Sequence, residues 1–504
     1  MIKEHSQLID GVFVNGIALT ILTVINLVLI PLQIQYLGME GFGIIVISTI
    51  FSLQGFVSIL DFGIPGALTK QISKLKSQQR INDITSLFNT SLALFGLIGL
   101  LIGSILIASS HTLAVFFVTD VENIKMLEKG LQIFFLSYIW QFPILILRSQ
   151  YQGYKNFVHI QVITVSVELA RFFAILVLLN LDYGFEFVIM ANALVTFLGF
   201  ACYIIWCPIP LSPILRSFNI KSLVQIWPLS KALWLGRLSG VFFNNSDKVV
   251  VSALLGPSVV SLVEIFTKIP ALINRMLGLV VSTTIPVVAG IDITKEYKKI
   301  TDIYQSGFKV YVSLLLPAIL ILLYFTPEIL DKWVGLNNAI VIDSMRLMLV
   351  WCMLVPLQFG GNIIIGLEIG VRKLIYYRIF QAIFKVASLS ALILILKEYA
   401  VPISYLISTI PLVFLMYVFK KELKIDLFQQ MSNYGLVFVT ACIPIAIHYV
   451  FNINTNFTSD ILISIAIILI TQWLFIYLLL YSKSERIIIR SYFLNKFRRV
   501  VDNE

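Results

Sequence analysis

Fourteen long apolar segments, joined by short polar links, limit the fold of this chain more than any other feature. Each has about the 20 or more residues that a helix needs to cross the hydrocarbon core of a bilayer. A backbone in lipid must satisfy its own hydrogen bonds, so such segments are helical. We therefore expect an all-α integral membrane protein with about 14 transmembrane helices. The segments lie at about 12–37, 42–66, 84–108, 131–150, 157–180, 186–206, 225–255, 259–287, 304–326, 341–366, 374–396, 399–419, 431–451 and 460–482.

The links between these segments are too short to hold a folded domain outside the membrane. Of the 504 residues, 59% are hydrophobic and only 13% are charged, whereas about a quarter of the residues of a soluble domain are charged. This composition excludes pumps with a cytosolic motor, receptors with a folded ectodomain, and glycosyltransferases or polymerases that work through a large loop. The sequence has no evident nucleophile–base constellation. We expect a transporter, not an enzyme.

The residues that most often bind metals or react are scattered along the chain. The cysteines lie in apolar stretches without metal-ligand or redox spacing, and the histidines are isolated from one another and from carboxylates. We therefore expect neither a metal site nor another cofactor. The residues concerned are Cys202, Cys207, Cys352, Cys442, His5, His111, His159 and His448.

The basic residues predict the orientation of the chain. Links that follow even-numbered segments, together with the two tails, hold nearly all the Lys and Arg outside the spans; Lys70, Lys74 and Arg80 are examples. Basic links face the cytoplasm, so both termini should be cytoplasmic. The net charge of +10 then reflects topology, and nucleic-acid binding need not be invoked.

The first two segments match the seventh and eighth at a constant offset of 218 residues. Asn26 aligns with Asn244, and the pair Leu37-Gly38 aligns with Leu255-Gly256. Six segments separate the copies, so both enter the membrane from the same side. Such parallel repeats are related by an axis along the membrane normal, and in transporters they enclose a central site. We expect a six-helix bundle over 1–220, a second over 221–425, and two appended helices with a basic cytoplasmic tail over 426–504.

Three short motifs resemble those of one transporter family. They are Tyr36–Gly43 at the first turn, Leu60–Pro65 at the end of the second segment, and Asn244–Lys248 followed by Leu255–Pro257 in the seventh. With the 6+6+2 arrangement, they are similar to the bacterial O-antigen and polysaccharide flippases of the multidrug/oligosaccharidyl-lipid/polysaccharide exporter superfamily.

The resemblance implies two bundles around a cavity in a bacterial inner membrane. It also implies that an undecaprenyl-pyrophosphate-linked oligosaccharide, such as an O-antigen unit of lipopolysaccharide, moves from the cytoplasmic to the outer leaflet. A polysaccharide polymerase, a chain-length regulator and membrane lipids are the implied partners. A drug/cation antiporter of the same superfamily and a lipid II flippase are the alternatives.

Charged side chains inside the predicted spans are the candidate site, because a charge in the bilayer is costly and usually faces a bundle interior or a wet cavity. On the seventh segment a spacing of 7 and 4 residues puts Arg237, Asn244 and Lys248 on one helical face. The eighth carries Glu264, Lys268 and Arg275 at spacings of 4 and 7. The fifth carries Glu168 and Arg171, the seventh also Asp247, and the eleventh Lys385.

Two interpretations of these charges compete. In one, the pairs Glu168–Arg171 and Glu264–Lys268 neutralise each other and hold helices together. In the other, six cations exceed the three acids Glu168, Asp247 and Glu264, and the excess binds an anion such as pyrophosphate, which arginine contacts bidentately. A further acid, Asp61, lies near the inner end of the second segment and either caps the next turn or takes part in ion coupling.

Overall fold

The computed structural model describes residues 2–53, 55–181, 183–207, 209, 219–282, 288, 291, 296–367, 369–425, 427–450, 458–481 and 486. Within these ranges the chain is helical and has no strand. The first half contains α1 (Ile2–Ile50), the 3-10 turn η1 (Phe56–Asp61), α2 (Ile64–Ser77), α3 (Ile81–Ala108), α4 (Ser110–Phe117), α5 (Val121–Leu136), α6 (Tyr138–Gly153), α7 (Phe157–Asn180) and α8 (Phe185–Ile205).

The second half contains α9 (Ile220–Leu255), α10 (Pro257–Ser282), α11 (Tyr297–Tyr324), α12 (Thr326–Val334), α13 (Ala339–Leu354), η2 (Val355–Gln358), α14 (Gly360–Gly366), α15 (Val371–Leu396), η3 (Lys397–Tyr399), α16 (Ala400–Ile407), α17 (Leu412–Glu422), α18 (Leu427–Val450) and α19 (Thr458–Leu480). Of the basic tail after Tyr481, only Arg486 is among the described residues.

The predicted all-α membrane fold is confirmed, and each of the fourteen apolar segments overlaps a helix. In the described ranges, nine helices are long and apolar enough to cross a membrane, or ten if the bent pair α5–α6 forms one span. One of the nine, Val371–Glu422, carries two predicted segments, and Val14–Ile50 carries the first segment and residues 42–50 of the second. The rest of the second segment continues through η1 into α2. The remaining segments lie on α9, which carries several charges, and on α19, whose apolar part is short.

Contacts within the chain define two compact units. The first comprises 1–265 and 385–401, and the second comprises 266–384 and 402–504. The division by sequence repeats at 220 and 425 stays a prediction.

In the first unit, an aromatic cluster and an aliphatic cluster form the core. Phe51 and Tyr138 each pack edge-on against Phe135, and the Tyr138 hydroxyl donates a hydrogen bond to the Phe51 carbonyl. This bond gives the one polar atom of a buried ring a partner. The aliphatic cluster joins α1 to α7 and α8 through Ile25, Leu29, Ile175, Leu179 and Val188.

The second unit packs around α11. Phe359 contacts the rings of Tyr304, Phe308 and Tyr311 on that helix. Farther along α11, a second cluster joins it to α19 through Ile321, Phe325 and Ile468. A long helix that is apolar on several sides can therefore be the centre of this unit.

A glycine turn positions α2 against α9 in the first unit. Gly63 has φ +71°, and a Cβ atom at this position would lie 2.3 Å from the Ser230 carbonyl oxygen. Both the backbone angle and the close approach require a residue without a side chain.

We predict that Gly63→Ala destabilises the protein by about 2 kcal/mol or more, because it adds left-handed strain to a clash with backbone. The measurement is thermal unfolding of purified protein in detergent. Gly96→Ala is the control, since Gly96 lies in α3 and a Cβ added there would have nothing within 4 Å. Equal melting temperatures for the two variants would contradict the argument.

Candidate functional site

Asp61 and Arg237 form an ion pair between η1 and α9. Asp61 also accepts a hydrogen bond of 2.7 Å from the Gly63 backbone N–H, so it caps the following turn as well. One turn before Arg237, the Trp234 indole donates to the Ile59 carbonyl at 2.7 Å and holds α9 against η1. The two partners differ in exposure: the Asp61 side chain is 5% exposed and the Arg237 side chain is 46% exposed.

Lys248 connects three helices near the C-terminal end of α9. Its ammonium lies 2.9 Å from Glu264 Oε2 on α10 and 3.4 Å from Thr49 Oγ1 on α1. One of the two interpretations of the sequence pairs Glu264 with Lys268 on its own helix; the structure shows a contact of Glu264 with Lys248. Thr49 has no distinguishing sequence signal and was not among the predicted residues.

Lys385 and Asp247 form the most deeply buried of these pairs. Lys385 is fully buried, and its Nζ atom lies 3.6 Å from Asp247 Oδ1. The same ammonium donates to the Phe243 carbonyl and lies 4.9 Å from the centre of the Phe243 ring. A carboxylate, a carbonyl and an aromatic face thus replace the water that the charge loses on burial.

Arg171 and Glu168 pair within α7, as their spacing predicts. Asn192 on α8 accepts a further bond of 3.3 Å from Arg171 Nη1. The sequence did not identify Asn192, because an isolated asparagine in an apolar helix carries no distinguishing pattern.

These contacts change the charge balance expected from sequence. At least four of the six predicted cations contact a carboxylate, and one of these acids, Asp61, is not among the three acids counted from the sequence. Fewer than three of the six therefore lack a carboxylate, and binding of an anion by the excess stays a prediction. Lys268 is half-buried on α10. Arg275 is exposed on the same helix.

Asn244 is exposed on α9, on the face it shares with Arg237 and Lys248. The first compact unit thus places Arg237, Asn244 and Lys248 along one helix and Lys385 beside it. Lys268 and Arg275 belong to the second unit. Among the described residues, no cluster of His, Cys, Asp or Glu is suitable for a metal ion.

We predict that Lys385→Met destabilises the protein by about 3–5 kcal/mol, because it removes the positive charge that faces the buried Asp247 carboxylate. Lys385→Met/Asp247→Asn should recover most of this loss, as measured by thermal unfolding in detergent.

The matched control is Lys129→Met. Lys129 pairs with Glu186 at 3.2 Å, but both side chains are exposed, so the cost should stay below about 1 kcal/mol. The argument fails if the double variant is no more stable than Lys385→Met.

Solved membrane transporters share this fold. A lipid II flippase, MurJ, in an inward closed conformation is 15% identical, with a TM-score of 0.74 over 92% of this chain and 99% of that one. An inward-facing multidrug resistance transporter of the MATE family is 14% identical, with a TM-score of 0.64 over 82% and 95%. A MOP superfamily transporter from Pyrococcus furiosus is 14% identical, with a TM-score of 0.54 over 81% and 95%.

No curated protein matches the chain in sequence. A family model does: the one described as "Polysaccharide biosynthesis protein" matches residues 8–291, more than half of the chain. The matched region covers helices α1 to α10. It includes both residues of each site ion pair described above, except that Lys385, the partner of Asp247, lies outside it. The chain therefore belongs to the polysaccharide biosynthesis protein family.

Proposed function

We propose that this protein is a flippase that moves an undecaprenyl-pyrophosphate-linked oligosaccharide from the cytoplasmic to the outer leaflet. The headgroup enters a polar cavity by its pyrophosphate while the polyprenyl tail stays in lipid, and alternating access carries it across. The oligosaccharide is a repeat unit of a surface polysaccharide such as O-antigen of lipopolysaccharide. Family membership supports a role in polysaccharide biosynthesis. The fold shared with flippases and transporters supports movement of a substrate across a membrane.

The observation that carries the proposal is the asymmetric exposure of the Arg237–Asp61 pair. The carboxylate is buried and also bound by the Gly63 N–H, so its position is determined by the protein. The guanidinium is half exposed and engages Asp61 through Nη1. A guanidinium has five N–H donors, and the exposed ones suit the oxygens of a phosphate group.

The pairing of the buried acids with basic residues also supports an anionic substrate over a cationic drug. A drug/cation antiporter needs acidic groups open to its substrate, whereas Asp61 and Asp247 are buried against Arg237 and Lys385. Arg171, Lys248, Lys268, Arg275 and Asn244 are proposed to contribute to headgroup binding. Glu168 and Glu264 then balance the basic charge between transport cycles.

The cellular setting follows from the same proposal. The protein would lie in the bacterial inner membrane with both termini in the cytoplasm. A polysaccharide polymerase and a chain-length regulator would act on the unit after it is flipped. A lipid II flippase would use the same anion chemistry, so the nature of the accumulated lipid separates the two.

We predict that Arg237→Ala impairs flipping about tenfold or more, since a charge-assisted hydrogen bond contributes about 1.5–3 kcal/mol. The variant is returned to a host that lacks the gene, and polyprenyl-linked oligosaccharide and surface polysaccharide are quantified. Lipid-linked units should accumulate while surface polymer falls.

Loss of Arg237 also leaves Asp61 buried and charged, so stability must be separated from binding. Arg237→Ala/Asp61→Asn removes both charges and should restore the melting temperature but not flipping. Arg80→Ala is the matched control, because Arg80 pairs with Asp83 on the surface at 2.6 Å, and it should flip normally. Recovery of flipping by the double variant would exclude an anion-binding role for Arg237. Accumulation of lipid II instead would identify the rival substrate.

We predict that epitope tags at either terminus bind antibody only after the cells are permeabilised. A tag inserted between Val118 and Asp120, in the link between α4 and α5, should bind antibody on intact spheroplasts, because this link follows an odd-numbered segment. Terminal tags that bind antibody on intact spheroplasts would reverse the proposed orientation.

A further inference from the structure

The two sequence repeats have the same unusual backbone at their first turn. Gly38 has φ 70° and ψ 178°, and Gly256, its equivalent at an offset of 218, has φ 83° and ψ −179°. Residues with a side chain rarely adopt this conformation, and glycine adopts it readily. Apolar composition does not cause this conformation. Its presence in both copies therefore indicates that the repeat is structural.

The two turns also contact each other, and the contact has twofold character. Ser261 Oγ donates a hydrogen bond of 2.5 Å to the Met39 carbonyl. Gly43 lies against the Pro257 carbonyl, which would be 2.1 Å from a Cβ at that position. At the offset of 218, Met39 is equivalent to Pro257 and Gly43 to Ser261. The Met39 carbonyl thus meets Ser261, and the Pro257 carbonyl meets Gly43, so both turns use the same two positions in the contact. A self-complementary interface with twofold symmetry has this pattern.

This contact leaves no room for water. Gly43 is buried and Ser261 is fully buried, and the two backbones approach so closely that a single methyl group cannot fit between them. It is nonetheless a small contact, because among the described residues it consists of one hydrogen bond and one close glycine approach. A small, dry contact can seal a path and still separate at modest cost.

A second link lies directly beneath the first. Lys248 joins Thr49, six residues after Gly43, to Glu264, three residues after Ser261. Both layers therefore link α1 to α10, the first directly and the second through Lys248 of α9, within one compact unit. Both layers lie at the end of the helices opposite the basic links.

We propose that the contact of Met39 and Gly43 with Pro257 and Ser261 is the outer gate of the transport path. This proposal rests on the proposed function and orientation. It adds the position at which the transport path opens to the outside. A pseudo-twofold contact lies on the axis that relates the repeats, which is where repeat transporters place their substrate path. An outward-open state requires these two turns to separate, while a headgroup bound below them cannot leave as long as they touch.

The test measures access to Thr49 from outside. Thr49 is exposed and lies below the gate, so Thr49→Cys reports whether the gate is open. The four native cysteines are replaced by serine, and a membrane-impermeant maleimide is added to intact spheroplasts. Labelling should be slow in this parent and at least about tenfold faster in Gly43→Ala, because an added methyl group disfavours the closed contact. Gly16→Ala, on the same helix with nothing within 4 Å of a Cβ, should label like the parent.

A second variant distinguishes an opened gate from misfolding of Gly43→Ala. Ser261→Ala removes the hydrogen bond without adding volume, so it should raise the labelling rate in the same direction by a smaller factor. Fast labelling of the parent would overturn the proposal, as would a rate that neither Gly43→Ala nor Ser261→Ala changes.

Labelling requires no substrate, so the gate and the flippase proposal can fail separately. Faster labelling in a protein whose deletion leaves lipid-linked oligosaccharide unchanged would retain the gate and reject the substrate. Unchanged labelling in a protein that does flip this lipid would reject the gate and retain the substrate.

Discussion

The basic side chains that lie deepest in the first compact unit pair with carboxylates, and this requirement determines how its helices are arranged. A single charge in a bilayer costs several kcal/mol, so η1, α9, α10 and α15 must bring opposite charges together. Asp61 reaches Arg237, Glu264 reaches Lys248, and Asp247 reaches Lys385. Two of these acids come from helices distant in sequence from their bases, so the pairs act as cross-links between segments.

The same pairs are suited to transport because they are not equally buried. Lys385 and Asp247 are enclosed, and their pairing is structural in the sense that neither partner is open to a ligand. Arg237 is half exposed over a buried acid, and its remaining donors can reach a passing anion. Under the proposed function, an incoming pyrophosphate competes with the carboxylates that already contact these basic residues. Binding can then be released again, which a site of permanently unpaired cations would hinder.

Close backbone approach is the second constraint, and glycines make it possible. Gly63 lets η1 and α2 approach the Ser230 carbonyl, and Gly43 lets α1 approach Pro257. Without a hydrophobic driving force between helices in lipid, close packing of small residues is a main source of association. The motifs that resemble the flippase family contain both glycines, so part of what makes the motifs recognisable is this packing requirement.

The sequence determined the helical membrane fold, the positions of the fourteen apolar segments and the offset between the repeats. Apolar length and period are local properties, and a chain in lipid has no alternative to helix for such segments. It also identified every basic residue of the site, because a charge within an apolar run is conspicuous.

Tertiary structure alone decided which acid meets which base. Glu264 contacts Lys248 and not only its helical neighbours, and Asp61 contacts Arg237 across 176 residues. Thr49, Asn192 and the Phe243 carbonyl join the site through packing, and no sequence pattern marks them. Helical spacing orders side chains along one helix, whereas partners on other helices depend on how helices cross, which the spacing does not contain.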